Sequence, residues 1–129
     1  MRFSLDTNAV IALMKGHPAV IARIRQHGVD TCGLSAIVLH ELDFGARRSQ
    51  RVAENLARVE ALPFSPLDFS RDDAIAAGQI RLCLEKLGTP IGAFDLLIAA
   101  QALARDLTLV THNVSEFQRI PGLRTADWQ

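Results

Sequence analysis

Residues 90–103 read PIGAFDLLIAAQAL, and the rest of the chain is organised around this stretch. Nearly every position is apolar, which predicts a helix enclosed on all sides by the fold. Gly92 and Ala93 let the chain turn in, and only Asp95 and Gln101 interrupt the apolar run. On a helix, Asp95, Ile98, Ala99 and Ala102 share one face. A carboxylate on such a face is expensive to desolvate unless something positive meets it. Asp95 therefore either complements the helix dipole near the N-terminus or belongs to a site where other acids converge.

Outward from this helix, strands and helices alternate. Leu107–Val110 is the clearest buried strand and runs into Thr111-His112-Asn113; Ile120-Pro121-Gly122 is a turn, and Leu123–Ala126 is a candidate last strand. Upstream, Ser70-Arg71-Asp72-Asp73 resembles a capping box with Asp in place of Glu. It opens a helix with Ile75, Ala76, Ile80, Cys83, Leu84 and Leu87 inward, stopping at Gly88. Pro63–Leu67 alternates but holds two prolines, which restricts it to a sheet edge. From the start, Phe3–Leu5 is a strand, Asn8–Lys15 a helix, and His17-Pro18 opens a second helix that ends at Gly28. Thr31–Leu34 is a strand, Ser35 caps a helix over Ala36–Arg47, and Gln50–Ala61 is another helix with Val52, Leu56 and Val59 inward.

This order predicts an α/β protein: a three-layer α/β/α sandwich around a central, mainly parallel sheet, residues 1–129 forming one domain. In such sheets ligands bind beyond the carboxyl ends of the strands. Asp6, Ser35 and the pair Thr111 and Asn113 each follow a strand, so all are expected on one edge.

Composition narrows the function. Of 129 residues nearly half are apolar and 22% are charged, and the 14 basic and 14 acidic side chains balance. A protein that coats nucleic acid through bulk charge is thereby excluded, but not a local basic patch. Cys32 and Cys83 lie far apart and outside any C-x-x-C pair, which suits buried, reduced thiols and not a metal site. No signal pattern precedes the first strand, and no apolar run reaches the ~18 residues of a membrane span, so a soluble, cytoplasmic protein is expected.

The candidate chemistry lies in three acids. Asp6, Thr7 and Asn8 are all good N-caps, yet one cap suffices, so the cluster is over-supplied. In the helix after Ser35, Ile37, Val38, Leu42 and Gly45 form a stripe, and Glu41 sits inside it where a solvated glutamate would not belong. With Asp95, three carboxylates fall where a core should be. Acids meeting in a cleft raise one another's proton affinity, and a divalent cation removes the conflict. An all-oxygen set without His or Cys suits Mg²⁺, with Mn²⁺ as a substitute, and not Zn²⁺. Carboxylate-held magnesium is suited to hydrolysis of phosphodiesters.

Four blocks in order, LDTNAVIAL, SAIVLHEL, IGAFDLLIAAQAL and LVTHNVSEF…IPGLRTADW, resemble the PIN-domain ribonucleases, and most closely the VapC toxins of bacterial type II toxin–antitoxin pairs. The resemblance covers essentially the whole chain. It implies a PIN-like α/β/α sandwich and a Mg²⁺-dependent endoribonuclease whose acids fall on Asp6, Glu41 and Asp95. It also implies an RNA substrate, a cognate antitoxin protein and a homodimer, the helices around 36–61 being where a second copy and the antitoxin meet such toxins. One departure stands out: the family's fourth acid falls at Asn113, which brings no charge, and Glu116 is a weak substitute. Thr7, Ser35, Thr111 and Asn113 are candidate supports for the carboxylates. Arg47 and Arg48 are candidate RNA contacts, against the simpler reading of a solvated helix corner. His40 is expected at the surface, His17 and His27 at helix ends, and His112 near a phosphate.

Other folds of this class fail on residues. A phosphoacceptor receiver needs an acidic pair after the first strand and a lysine after the last core strand. A dinucleotide-binding fold needs a Gly-rich turn, and a haloacid-type phosphatase needs D-x-D where Asn8 stands. The remaining competitor is a PIN-like interaction module whose site has decayed, with Asn113 as its first sign.

Overall fold

The computed structural model describes residues 1–129. Five strands form one sheet: β1 (Phe3–Leu5), β2 (Cys32–Ser35), β3 (Ser65–Leu67), β4 (Thr108–Val110) and β5 (Thr125–Ala126). They lie in the order β3-β2-β1-β4-β5, and every pairing is parallel, so the sheet is wholly and not mainly parallel. All three residues of β1 are buried although their side chains alternate between faces, so both faces are covered by helices.

Seven α-helices supply that cover: α1 (Thr7–Met14), α2 (Pro18–His27), α3 (Ala36–Arg47), α4 (Val52–Glu60), α5 (Arg71–Lys86), α6 (Ala93–Ala104) and α7 (Val114–Phe117). The predicted central helix is α6, beginning at Ala93 once Pro90 and Gly92 have been left outside it, with Gly92 as N-cap. Leu96, Ile98, Ala99, Ala100, Gln101 and Ala102 are buried, against α5 on one side and β4 on the other. Each large apolar side chain so enclosed contributes roughly 1.5–3 kcal/mol of transfer free energy. The helix ends at Arg105, after which Asp106 takes a left-handed conformation (φ 57°) and redirects the chain into β4.

Several expectations shift in detail. The 3₁₀ turn over Val29–Thr31 and the single-turn helix α7 carry no periodicity to announce them, and β2 starts one residue later than expected. The last strand shrinks to Thr125–Ala126, and α4 to Val52–Glu60. Val52, Ile75 and Leu87, expected inside, are exposed, as is Gly45, and Cys83 is only half-buried. A hydrophobic stripe wider than the surface available to cover it leaves its flanks in water.

The topology fixes where a site belongs. Strand order reverses at β1, with β2 on one side and β4 on the other, and the crevice of a doubly wound sheet opens at the strand ends there. Asp6 directly follows β1 and Thr111 directly follows β4, and the Asp6 amide donates to the Val110 carbonyl at 3.0 Å. The two polar strand ends are thus tied side by side at the reversal point.

Candidate active site at the carboxyl edge of the sheet

Asp6 is 5% exposed and serves as the N-cap of α1, accepting from the Ala9 amide at 2.8 Å. The capping role foreseen for it is therefore occupied, but it engages only one carboxylate oxygen. Burial raises its proton affinity above the usual carboxylate range. The Thr111 hydroxyl and the Ala9 amide pull it down, while Glu41 and Asp127 push it further up.

Asp95 lies in the first turn of α6, where the helix dipole favours an anion. Its pKa nevertheless rises to about 6, first through burial and then through the charges of Glu116, Glu41 and Asp6. Desolvation and like charge together outweigh the dipole, so Asp95 is not explained as a helix-end residue. Glu41 projects from α3 toward the same place, half-buried, and accepts a hydrogen bond of 2.7 Å from the Thr7 hydroxyl.

A further acid, Glu116, acts on Asp95. Its charge acts on Asp95 more strongly than that of Glu41 or Asp6. The α7 turn carries it back to the site, where the Asn113 side-chain amide donates to its carboxylate. The resemblance puts the fourth acidic position at Asn113, which brings no charge. Asn113 instead holds Glu116, and its own amide is anchored by donating to the Thr111 hydroxyl at 3.0 Å.

The supporting residues divide. Thr7 donates to Glu41, and the Thr111 hydroxyl lowers the proton affinity of Asp6. Ser35 does neither: wholly buried, it accepts from the Ile37 amide at 3.1 Å and caps α3. Arg47 reaches back one turn to Asp43 at 2.6 Å, and Arg48 covers the Phe44 ring, so both have local partners on the exposed side of α3. His40 is exposed beside Phe94, and His17 and His27 stand at the two ends of α2.

No basic side chain forms an ion pair with Asp6, Glu41, Asp95 or Glu116, and as they stand no three acids are close enough together to enclose a cation. The donor set nonetheless fits a hard cation: it is oxygen only, and two members, buried Asp6 and half-buried Asp95, are held above their ordinary proton affinity with nothing positive to answer them. A family model described as the PIN domain matches residues 4–123. The chain belongs to the PIN-domain family, in its VapC group. It is 41% identical over 130 residues to the tRNA(fMet)-specific endonuclease VapC of Salmonella typhimurium, covering 99% of this chain and 98% of that protein. It is 36% identical over 131 residues to ribonuclease VapC2 of Haemophilus influenzae, with the same coverage. A crystal structure of DNA-bound VapBC from Salmonella typhimurium superposes with a TM-score of 0.94 at 38% identity, covering 100% of this chain and 99% of that one. This VapC-group fold is the α/β/α sandwich read from the sequence.

Proposed function

We propose that this chain is a Mg²⁺-dependent endoribonuclease acting in the cytoplasm as the toxin of a type II toxin–antitoxin pair. The observation that carries the reading is the pair of carboxylates, buried Asp6 and half-buried Asp95, forced up in proton affinity by desolvation and by further acids at the point where the sheet reverses. Nuclease names on full-length VapC relatives support it.

Asp6 and Asp95, with Glu41 and Glu116, would hold the ion. When bound, Mg²⁺ supplies a water of lowered proton affinity for attack and positive charge for the strained phosphodiester oxygens. The chain's own residues do the positioning. Thr7 fixes the Glu41 carboxylate, Thr111 orients Asp6, and Asn113 holds Glu116. The acids also keep an RNA phosphate away until their charge is balanced. Arg47 and Arg48 would meet the RNA backbone farther out, since an exposed pair such as Arg47–Asp43 yields at a cost below about 1 kcal/mol. A decayed interaction module loses its main support, because Glu116 supplies the charge that Asn113 lacks.

A cognate antitoxin would silence the enzyme, and structures of VapBC complexes among the relatives support such a partner. A groove of about 350 Å³ between α1, α3 and α4 offers it a seat, with Ile11, Met14, Leu42 and Val59 along the wall and Glu41 at one end. An antitoxin tail lying there would bring an arginine to the acids, where a planar guanidinium can engage carboxylates bidentately and keep its charge. The exposed Leu39, Phe44 and Phe94 suit a second copy of the chain, giving a homodimer. No helix is long and apolar enough to cross a membrane.

The test is cleavage of total RNA by the purified chain with Mg²⁺, with a chelator, and with Asp6→Ala. Mapped cuts that vanish on chelation and in the variant are expected. Cutting that survives both would contradict the reading.

A further inference from the structure

We propose that a trough beside α1, adjoining the apolar groove and polar at its end nearest the acids, is the seat of unpaired RNA nucleotides flanking the cleaved bond. This rests on the ribonuclease reading and assigns the strand's path through it.

Two hollows make the trough. One, of about 430 Å³, is lined by Asn8, His112, Asn113 and Gln129, with no apolar residue among them. The other, of about 340 Å³, shares Asn8 and Gln129 and adds Ile11, Ala12, Lys15 and His17, of which Ile11 and Lys15 also border the apolar groove. The shared residues join them into one channel running from the C-cap of α1 to the loop between β4 and α7. It abuts the acids directly: Asn8 lies in the first turn that Asp6 caps, and the Asn113 amide bonds the Thr111 hydroxyl that orients Asp6.

The charges around the trough differ from those of the acid cluster. Lys15 lines it, and Asp127, the acid that His112 and His17 act on, is already engaged. His112 Nδ1 lies 3.0 Å from Asp127 Oδ2, the Gln129 amide donates to Asp127 Oδ1 at 3.0 Å, and His17 acts on it as well. The Asp127 contact engages only Nδ1 of the exposed His112 ring, which lines the trough. His17 Nδ1 is buried without a partner, a polar atom still to be satisfied.

Amides, a lysine and an oriented imidazole match single-stranded RNA, whose phosphates need donors and whose unstacked bases offer polar edges. An apolar peptide segment would gain nothing from the hollow of Asn8, His112, Asn113 and Gln129 and finds more apolar wall in the adjoining groove.

The experiment uses the full chain with Asp95→Asn, to prevent cutting, and a labelled single-stranded oligoribonucleotide read by fluorescence anisotropy across salt concentrations. Lys15→Ala and His112→Ala should each weaken binding by about tenfold, and Lys15→Ala should lower the salt slope by about one. His112→Asn should recover part of the loss, Arg81→Ala on the distant face of α5 should change nothing, and Mn²⁺ binding by the same substitutions in the Asp95 background restored should stay at the wild-type level. Equal RNA binding by parent and trough variants, where the wild-type chain cuts RNA, would overturn the trough and leave the nuclease reading standing. A wild-type chain that neither cuts nor binds RNA would overturn both. Loss of a co-expressed antitoxin with RNA binding unchanged would assign the trough to that protein instead.

Discussion

Two regions of this molecule draw an aspartate out of water, one fully and one by about half, and they treat it in opposite ways. Asp73 is 1% exposed at the start of α5, where burial alone would raise its proton affinity. It is held below the ordinary range, because Arg105 meets it at 2.9 Å, Ser70 completes a capping box with it, and Gln101 donates at 3.3 Å. Asp95, at the start of α6, has acids where Asp73 has donors, and is held up at about 6. Residue type and helix position are the same, and the more deeply buried of the two, Asp73, is the one whose proton affinity is lowered. The difference is the company each keeps: a buried acid with a cation and donors beside it is part of the framework, whereas one facing other acids awaits a ligand.

The largest expected effects separate the two. Asp95→Asn should lower RNA cleavage by at least about a hundredfold while the chelated protein unfolds at the same or a higher denaturant midpoint, since a repulsive charge is removed. Retained cleavage by this variant would erase the distinction. Asp73→Ala should do the reverse, costing about 3 kcal/mol in denaturant unfolding because it strips Arg105 of its partner and α5 of its cap. Whatever protein remains folded should bind Mn²⁺ as before. A cost below about 1 kcal/mol would show that the ion pair is no better than a surface contact.

That contrast was only half legible in the sequence. The alternation of strands and helices, the enclosed α6 and the acids Asp6, Glu41 and Asp95 all follow from local periodicity and from the expense of a charge inside an apolar stripe. Asp73 was readable as a cap, but its pairing with Arg105 spans 32 residues and has no local signature. Gln101 was an unexplained break in an apolar run until β3 supplied the Leu67 and Asp68 carbonyls it donates to. Glu116 was undervalued for a related reason. Only the single turn of α7 folds it back toward Asp95, and four residues are too few to carry a helical period. Ser35 misled because strand end and helix cap coincide there, and the cap alone accounts for it.

The pH dependence of stability sharpens the comparison further. Asp95 binds its proton more tightly folded than unfolded, so in chelator its contribution to stability falls as pH rises from the unfolded value of 3.8 through about 6. Asp73 is depressed, so its contribution is present above 3.8 and is lost as pH falls through its folded value. Asp95→Asn should therefore flatten the loss on the neutral side, and Asp73→Asn the loss on the acid side. Parallel profiles for the two variants would contradict the opposite directions assigned to them. The smallest effect belongs to the surface: Arg47→Ala breaks only the exposed pair with Asp43 and should change stability by less than about 0.5 kcal/mol.

Titration of Mn²⁺ into wild type, Asp95→Asn and Asp73→Asn by calorimetry tests the central claim most directly. A cation site built from unanswered acids predicts strong heat for the wild type, its loss in Asp95→Asn, and wild-type binding by folded Asp73→Asn. Equal binding by wild type and Asp95→Asn would contradict it.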